Sequence, residues 1–263
     1  MPKTYLVTGA SEGIGLETAR LAAASGAAVL MVARDAVKLQ AAADALPGTI
    51  RPEIAAVDLA DAAALDVFIA SLEARGYLPD VLVNNAGHGA SGPFVDADWS
   101  KLDAMLRLNM NALARLSHWA ARGMKARKSG SIVNLSAAVA TRPTPHFAAY
   151  AASKAFVTNL SIAINSELAG HGVSVSAIHP PAVRTGFGAA DKADLRSTLV
   201  HKLFPTVGPI TVARAVMSAV SRRRRSVIIG PVAGVVMGSA PIMPRGIDLA
   251  FMTLLFKGQR ATA

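Results

Sequence analysis

Short apolar runs recur along this chain, and a stretch of helical periodicity follows most of them. Thr4 to Thr8, Ala27 to Ala33, Ile54 to Val57, Val81 to Val83, Ser131 to Leu135, Val173 to Ile178 and Val227 to Ile229 are brief, β-branched and almost continuously apolar. That pattern suits strands buried on both faces of a parallel sheet. Between them, Ile14 to Ser25, Ala62 to Ala74, Trp99 to Arg122, Tyr150 to Ala169 and Val212 to Arg222 predict helices. A parallel strand pair needs a crossover, so the repeated strand–helix–strand order predicts an α/β fold of about seven strands, helices on both faces. No repeat or linker interrupts it, and residues 1–263 are expected to form a single domain.

Two segments break the rhythm. Residues 186–205 are mixed in character and longer than ordinary α/β connections, which suggests a substrate loop. Residues 232–263 form an apolar C-terminal extension with scattered prolines, expected to pack on the fold, on a second subunit or at a membrane surface.

Composition closes off several classes. At 52% hydrophobic and 17% charged, the chain has material for a large core and is not a disordered polymer. It has no cysteine, which excludes disulfides, thiolate catalysis and cysteine metal sites, and no HxH or HExxH pair signals a metal. The N-terminus lacks a signal-peptide pattern, giving a cytoplasmic expectation. The uncharged stretch from Arg225 to Arg245 holds Pro231, Pro241 and Pro244, which oppose a continuous membrane helix. The net charge of +10 peaks at Arg222 to Arg225. A solvated helix end explains that cluster, and peripheral contact with anionic lipid is the alternative. No recognition motif points to nucleic acid.

The first strand ends in Thr8-Gly9-Ala10-Ser11-Glu12-Gly13-Ile14-Gly15, and a helix comes next. Glycines at such a turn let backbone approach a pyrophosphate, while the helix N-terminus supplies free N–H groups and a positive dipole end. The TGxxxGxG spacing resembles the short-chain dehydrogenase/reductase family, and further motifs appear in order. These are Asp58 and Leu59 after the third strand, Asn84-Asn85-Ala86-Gly87 after the fourth, Asn109 in LNMNA, Tyr150-xxx-Lys154, and Pro180-Pro181-Ala182-Val183-Arg184-Thr185. The resemblance implies a doubly wound Rossmann fold. It also implies a nicotinamide cofactor held by Gly9, Ser11, Glu12, Gly13, Ile14, Gly15, Asp58, Leu59, Asn85, Ala86, Gly87, Tyr150, Lys154, Pro180, Val183 and Thr185.

The second strand ends at Arg34 where an acidic residue would bind the ribose of NAD. A guanidinium suits a 2′-phosphate, so NADP(H) is expected over NAD(H). Asp35, one residue on, offers a competing ribose contact.

Tyr150 and Lys154 sit at i and i+4, on one face of a helix. A tyrosine pKa near 10 is too high for proton exchange at neutral pH, and a nearby ammonium favours the phenolate. The resemblance makes Tyr150 the proton donor to a carbonyl, Lys154 a holder of the ribose hydroxyls, and Asn109 the anchor of a water relay. One position departs. The family's serine, thirteen residues before the tyrosine, is Ala137 here, and Ser136 is its neighbour. Adjacent strand residues face opposite ways. Either a bulge turns Ser136 inward, or Thr144 or His146 supplies the donor. Pro181, where relatives have glycine, is a second departure.

These readings converge on an NADP(H)-dependent carbonyl reductase or alcohol dehydrogenase for a hydrophobic substrate: a steroid, a long-chain 3-oxoacyl compound or another ketone. Phe187, Leu199, Leu203 and Phe204 suggest an apolar mouth. The alternative, motivated by Ala137 and Pro181, is a cofactor-binding sensor or scaffold with little turnover. The resemblance further implies a homodimer or homotetramer.

Overall fold

The computed structural model describes residues 2–184, 206–240 and 242–255. Within them runs a parallel sheet of β1 (Thr4–Thr8), β2 (Ala28–Ala33), β3 (Glu53–Ala56), β4 (Val81–Asn84), β5 (Gly130–Leu135), β6 (Val173–His179) and β7 (Ser226–Ile228), ordered β3-β2-β1-β4-β5-β6-β7. Alternation along each strand feeds two cores. Val7, Val29, Met31, Val83 and Val133 face one layer, and Leu6, Leu30, Val32, Leu82 and Ile132 face the other.

On the first face lie α1 (Gly13–Ala24), α2 (Ala36–Asp44) and α7 (Pro209–Arg222), through Ala19, Leu39 and Val216. On the second lie α3 (Ala62–Ala74) and α5 (Leu113–Ala126), through Leu65, Phe68 and Leu116. This is the doubly wound Rossmann-type architecture, with helices on both faces. The chain reverses direction across the sheet between β1 and β4. Open α/β sheets bind ligands at such a switch point, outside the carboxyl ends of the strands.

Three local outcomes differ from the sequence pattern. Trp99 to Arg122, expected as one helix, is α4 (Trp99–Leu106), a π-helical turn over Arg107–Ala112, and α5. Asp35 accepts a hydrogen bond from the Lys38 N–H and caps α2, a helix absent from the expectation. The C-terminal extension folds into α8 (Pro231–Ser239) and α9 (Arg245–Leu255). Among the described residues, no helix is long and apolar enough to cross a membrane.

The two ends of the expected substrate loop are tied together. Arg184 N–H donates to the Val207 carbonyl, and Val207 N–H to that of Ala182. The loop itself, with Thr185 and the four residues of the apolar mouth, lies outside the described residues.

Candidate active site

The glycine turn after β1 is shaped for close backbone approach. Gly9 and Gly13 take φ of +64° and +59°, where a side chain is strained. A Cβ on Gly15 would stand 2.1 Å from the Gly9 carbonyl oxygen. Thr8 holds the turn against β4: its hydroxyl accepts from the N–H groups of Asn85 (3.0 Å) and Ala86 (2.9 Å). The Asn85 amide donates to the carbonyls of Thr8 (3.0 Å) and Gly9 (3.2 Å). No side chain caps α1 at Glu12, so its leading N–H groups stay free for a ligand. Bare amides, a positive dipole end and glycines that clear the approach fit a dinucleotide pyrophosphate.

The flanking positions surround this cradle. Arg34 is exposed at the end of β2 and enters no ion pair among the described residues. Asp35 directs its carboxylate to its own helix. Asp58 is exposed and accepts from the Ala60 N–H at 3.0 Å. Leu59 and Ala86 line a small hollow with Thr8 and Leu108. Pro180 is buried and its carbonyl accepts from the Ala138 N–H, while Val183 and Ser11 are half-buried.

The reacting groups gather beside Gly87. A Cβ there would meet Asn109 Oδ1 at 2.8 Å and Lys154 Nζ at 3.5 Å, so only glycine lets both side chains close in. Asn109 is fully buried on the π-turn. Its amide donates to the His88 carbonyl (3.0 Å) and the Ser153 hydroxyl (3.2 Å), and its oxygen accepts from the His88 N–H. The extra residue of a π-turn rotates the next stretch of helix about its axis, and such turns recur at functional sites.

Tyr150 and Lys154 lie on α6 (Ala148–Glu167), with Lys154 Nζ 5.8 Å from the Tyr150 ring centroid. Lys154 is buried and donates to the Leu135 carbonyl at 2.9 Å. Burial pulls its ammonium down to about 8 from 10.5. Tyr150 is half-buried, with the Phe147 ring edge-on at 6.4 Å between centroids.

The family model for short chain dehydrogenases matches residues 3–196, from β1 through the glycine turn, Asn109 and the Tyr150–Lys154 pair. The chain belongs to the short chain dehydrogenase family. That family is one of nucleotide-binding oxidoreductases. A relative in Mycobacterium tuberculosis, named "Probable oxidoreductase EphD", is 32% identical over 92% of this chain and 43% of that one. The present chain thus spans under half the length of that relative. A solved short-chain dehydrogenase from Sphingobium yanoikuyae in complex with NADPH is 30% identical, with a TM-score of 0.81, covering 100% of this chain and 99% of that one. The bulky-bulky ketone specific alcohol dehydrogenase from Comamonas testosteroni is 29% identical, with a TM-score of 0.76, covering 100% and 97%.

The serine position departs furthest from the family pattern. Ala137 is buried and carries no hydroxyl. The Ser136 hydroxyl turns into α6, donating to the Lys154 carbonyl (2.9 Å) and sharing a hydrogen bond with Thr158 (2.7 Å). It straps the helix at the lysine. Thr144 is buried and donates to the Arg142 carbonyl at 3.1 Å. His146 takes φ of +64° and lines a shallow, largely apolar depression with Ala90, Phe94, Leu102 and Ala149.

Sequence reasoning passes over two residues that the site uses, Thr8 and Ser153. Thr8 opens the TGxxxGxG motif, and its buried hydroxyl is what joins the two loops. Ser153 lies in the YxxxK segment and donates to the Tyr150 carbonyl at 2.7 Å.

Proposed function

We propose that this chain is an NADP(H)-dependent oxidoreductase that interconverts a carbonyl and an alcohol on an apolar substrate. The observation that carries the reading is the gathering of Tyr150, buried Lys154 and Asn109 at the carboxyl edge of a dinucleotide-shaped cradle. A nicotinamide held in that cradle would supply or accept the hydride.

The chain's own groups handle the proton. In the reductive direction Tyr150 donates its phenolic proton to the developing alkoxide. Lys154, while protonated, makes that loss easier by favouring the phenolate. Its low proton affinity also readies Lys154 to resupply the Tyr150 phenolate, and a water anchored at Asn109 relays the replacement proton toward Lys154. Arg34 pairs with the 2′-phosphate, a role Asp35 does not contest because it caps α2. The depression beside His146 and the exposed Phe94, Val95 and Trp99 support an apolar substrate. So does the ketone specificity named for the Comamonas relative. Ala137 brings no hydroxyl to the carbonyl, and the Ser136 hydroxyl is spent on the Lys154 carbonyl and Thr158, which favours slow turnover.

Fluorescence titration with NADPH and NADH, then oxidation of bound NADPH against a panel of apolar ketones, tests this. NADPH is expected to bind more tightly and be consumed. Arg34→Ala is expected to weaken NADPH by about 10- to 100-fold, the worth of a charge-assisted pair, and NADH hardly at all. Equal loss for both cofactors overturns the phosphate role. Binding with no turnover on any ketone shifts the function to cofactor sensing.

A further inference from the structure

The C-terminal helices reach back over the turn that separates Ala137 from Tyr150. Arg142 comes directly after that turn (Ala138–Thr141), and its side chain is only 1% exposed. Its guanidinium forms an ion pair with Asp248 in the first turn of α9, whose side chain is 9% exposed. It donates to the Ser239 hydroxyl at the end of α8 (2.6 Å) and touches Met243 Sδ (3.6 Å) in the link. One arginine therefore gathers both helices and their connection. Beyond the pair, Met252 and Leu255 are buried against Val139 and Phe147. Phe147 is the ring that lies edge-on to Tyr150.

A charge pair is an expensive way to hold an apolar helix. Hydrophobic replacements of a buried pair are often as stable, and the best-attested use of such a pair is to fix register. Here register is at stake. Asp248, Met252 and Leu255 form the buried stripe at i, i+4 and i+7. Ile247, Phe251 and Leu254 form a second apolar stripe on the exposed side, at 62%, 37% and 60%. Hydrophobicity alone hardly distinguishes the two. The carboxylate does, because only one rotation of α9 brings it to the Arg142 fork.

We propose that Arg142 and Asp248 are positioning residues for Tyr150. Their pair selects the face of α9 that meets the turn, and Met252 and Leu255 then hold Phe147 against the tyrosine. The role deepens the proposed oxidoreductase function and rests on Tyr150 being its proton donor.

Phenolate absorbance titration of the 263-residue chain reads the tyrosine without any substrate. Burial raises Tyr5 and Tyr77, so the first phenolate step is expected to vanish in Tyr150→Phe, which assigns it. Asp248→Asn and Phe147→Leu are each expected to move that step. The double variant is expected to move it no further than either single one, since both act along one path. With a ketone substrate, Asp248→Asn is expected to lower kcat about tenfold while NADPH affinity stays within about twofold. Should Asp248→Asn fail to fold, judged by loss of NADPH binding, Ser239→Ala tests the same clamp more gently. An unmoved step in a folded variant, or shifts that simply add, overturns the proposal. A lack of ketone turnover in the wild type would sink the proposed function and leave this titration readable.

Discussion

A lysine ammonium enclosed by protein sits in a poor solvent for charge. Lys154 is such a lysine, and its affinity for a proton falls to about 8 from 10.5. Between these values the unfolded chain binds a proton that the folded chain does not, so stability rises with pH across that window. Below about 8 the full penalty is present, on the order of 3 kcal/mol. Lys154→Met is expected to lose most of that rise between about pH 8 and 10.5, measured by denaturant unfolding at several pH values. Parallel wild-type and variant curves would contradict the burial argument. Under the proposed mechanism the same residue sets function against stability: the ammonium that destabilises the fold would ease proton loss from Tyr150. The Ser136 hydroxyl holds the backbone of the same lysine, donating to its carbonyl at 2.9 Å.

Among the elements, the cradle depends on two loops meeting at the switch point. Gly15 in the first turn of α1 lies so close to the Gly9 carbonyl that a methyl group has nowhere to go without moving backbone. Gly15→Ala is expected to cost more than about 2 kcal/mol in stability and to abolish NADPH binding, read by thermal melting and fluorescence titration. An unchanged protein would show that the turn is looser than the contact implies. The strands are legible in the sequence to within about a residue at most ends, because parallel strands buried on both faces have few other uses for β-branched runs. The π-turn is not legible. It adds a residue to one turn and leaves no compositional trace, yet it places Asn109. The helix α2 is hidden for another reason. AVKLQAAAD has a weak apolar stripe, and Asp35 reads as a ribose contact in sequence when its local role is an N-cap. In the uncharged stretch from Arg225 to Arg245, prolines suggest breaks. Pro231 in fact stands in the first turn of α8, where a missing N–H carries no penalty.

At the scale of the molecule, the residues of the candidate site gather at the carboxyl edge of the sheet. The glycine turn, Asn85, Asn109, Ala137 and Tyr150 all come after strand ends there, and α8 and α9 close over the same side through Arg142. Arg222 to Arg225 lie at the other end, before β7 begins, with the run exposed and Arg223 in a left-handed helix cap bonded to the Gly172 carbonyl. The basic cluster therefore lies at the opposite edge of the sheet from Arg142 and the two helices it gathers. Motif order alone locates Tyr150 and Lys154. The link from Tyr150 through Phe147 to α9 and Asp248 emerges only once the chain is folded, because the pair joins residues 106 apart.

If Tyr150 delivers the proton in a carbonyl reduction, its hydroxyl must be indispensable to the chemical step and dispensable to cofactor binding. Single-turnover oxidation of bound NADPH by an apolar ketone, comparing the wild type with Tyr150→Phe, separates the two. The expected result is a measurable wild-type transient and one at least about 1000-fold slower in the variant, with NADPH affinity unchanged. A variant that oxidises NADPH at the wild-type rate would contradict the assignment of Tyr150 as proton donor.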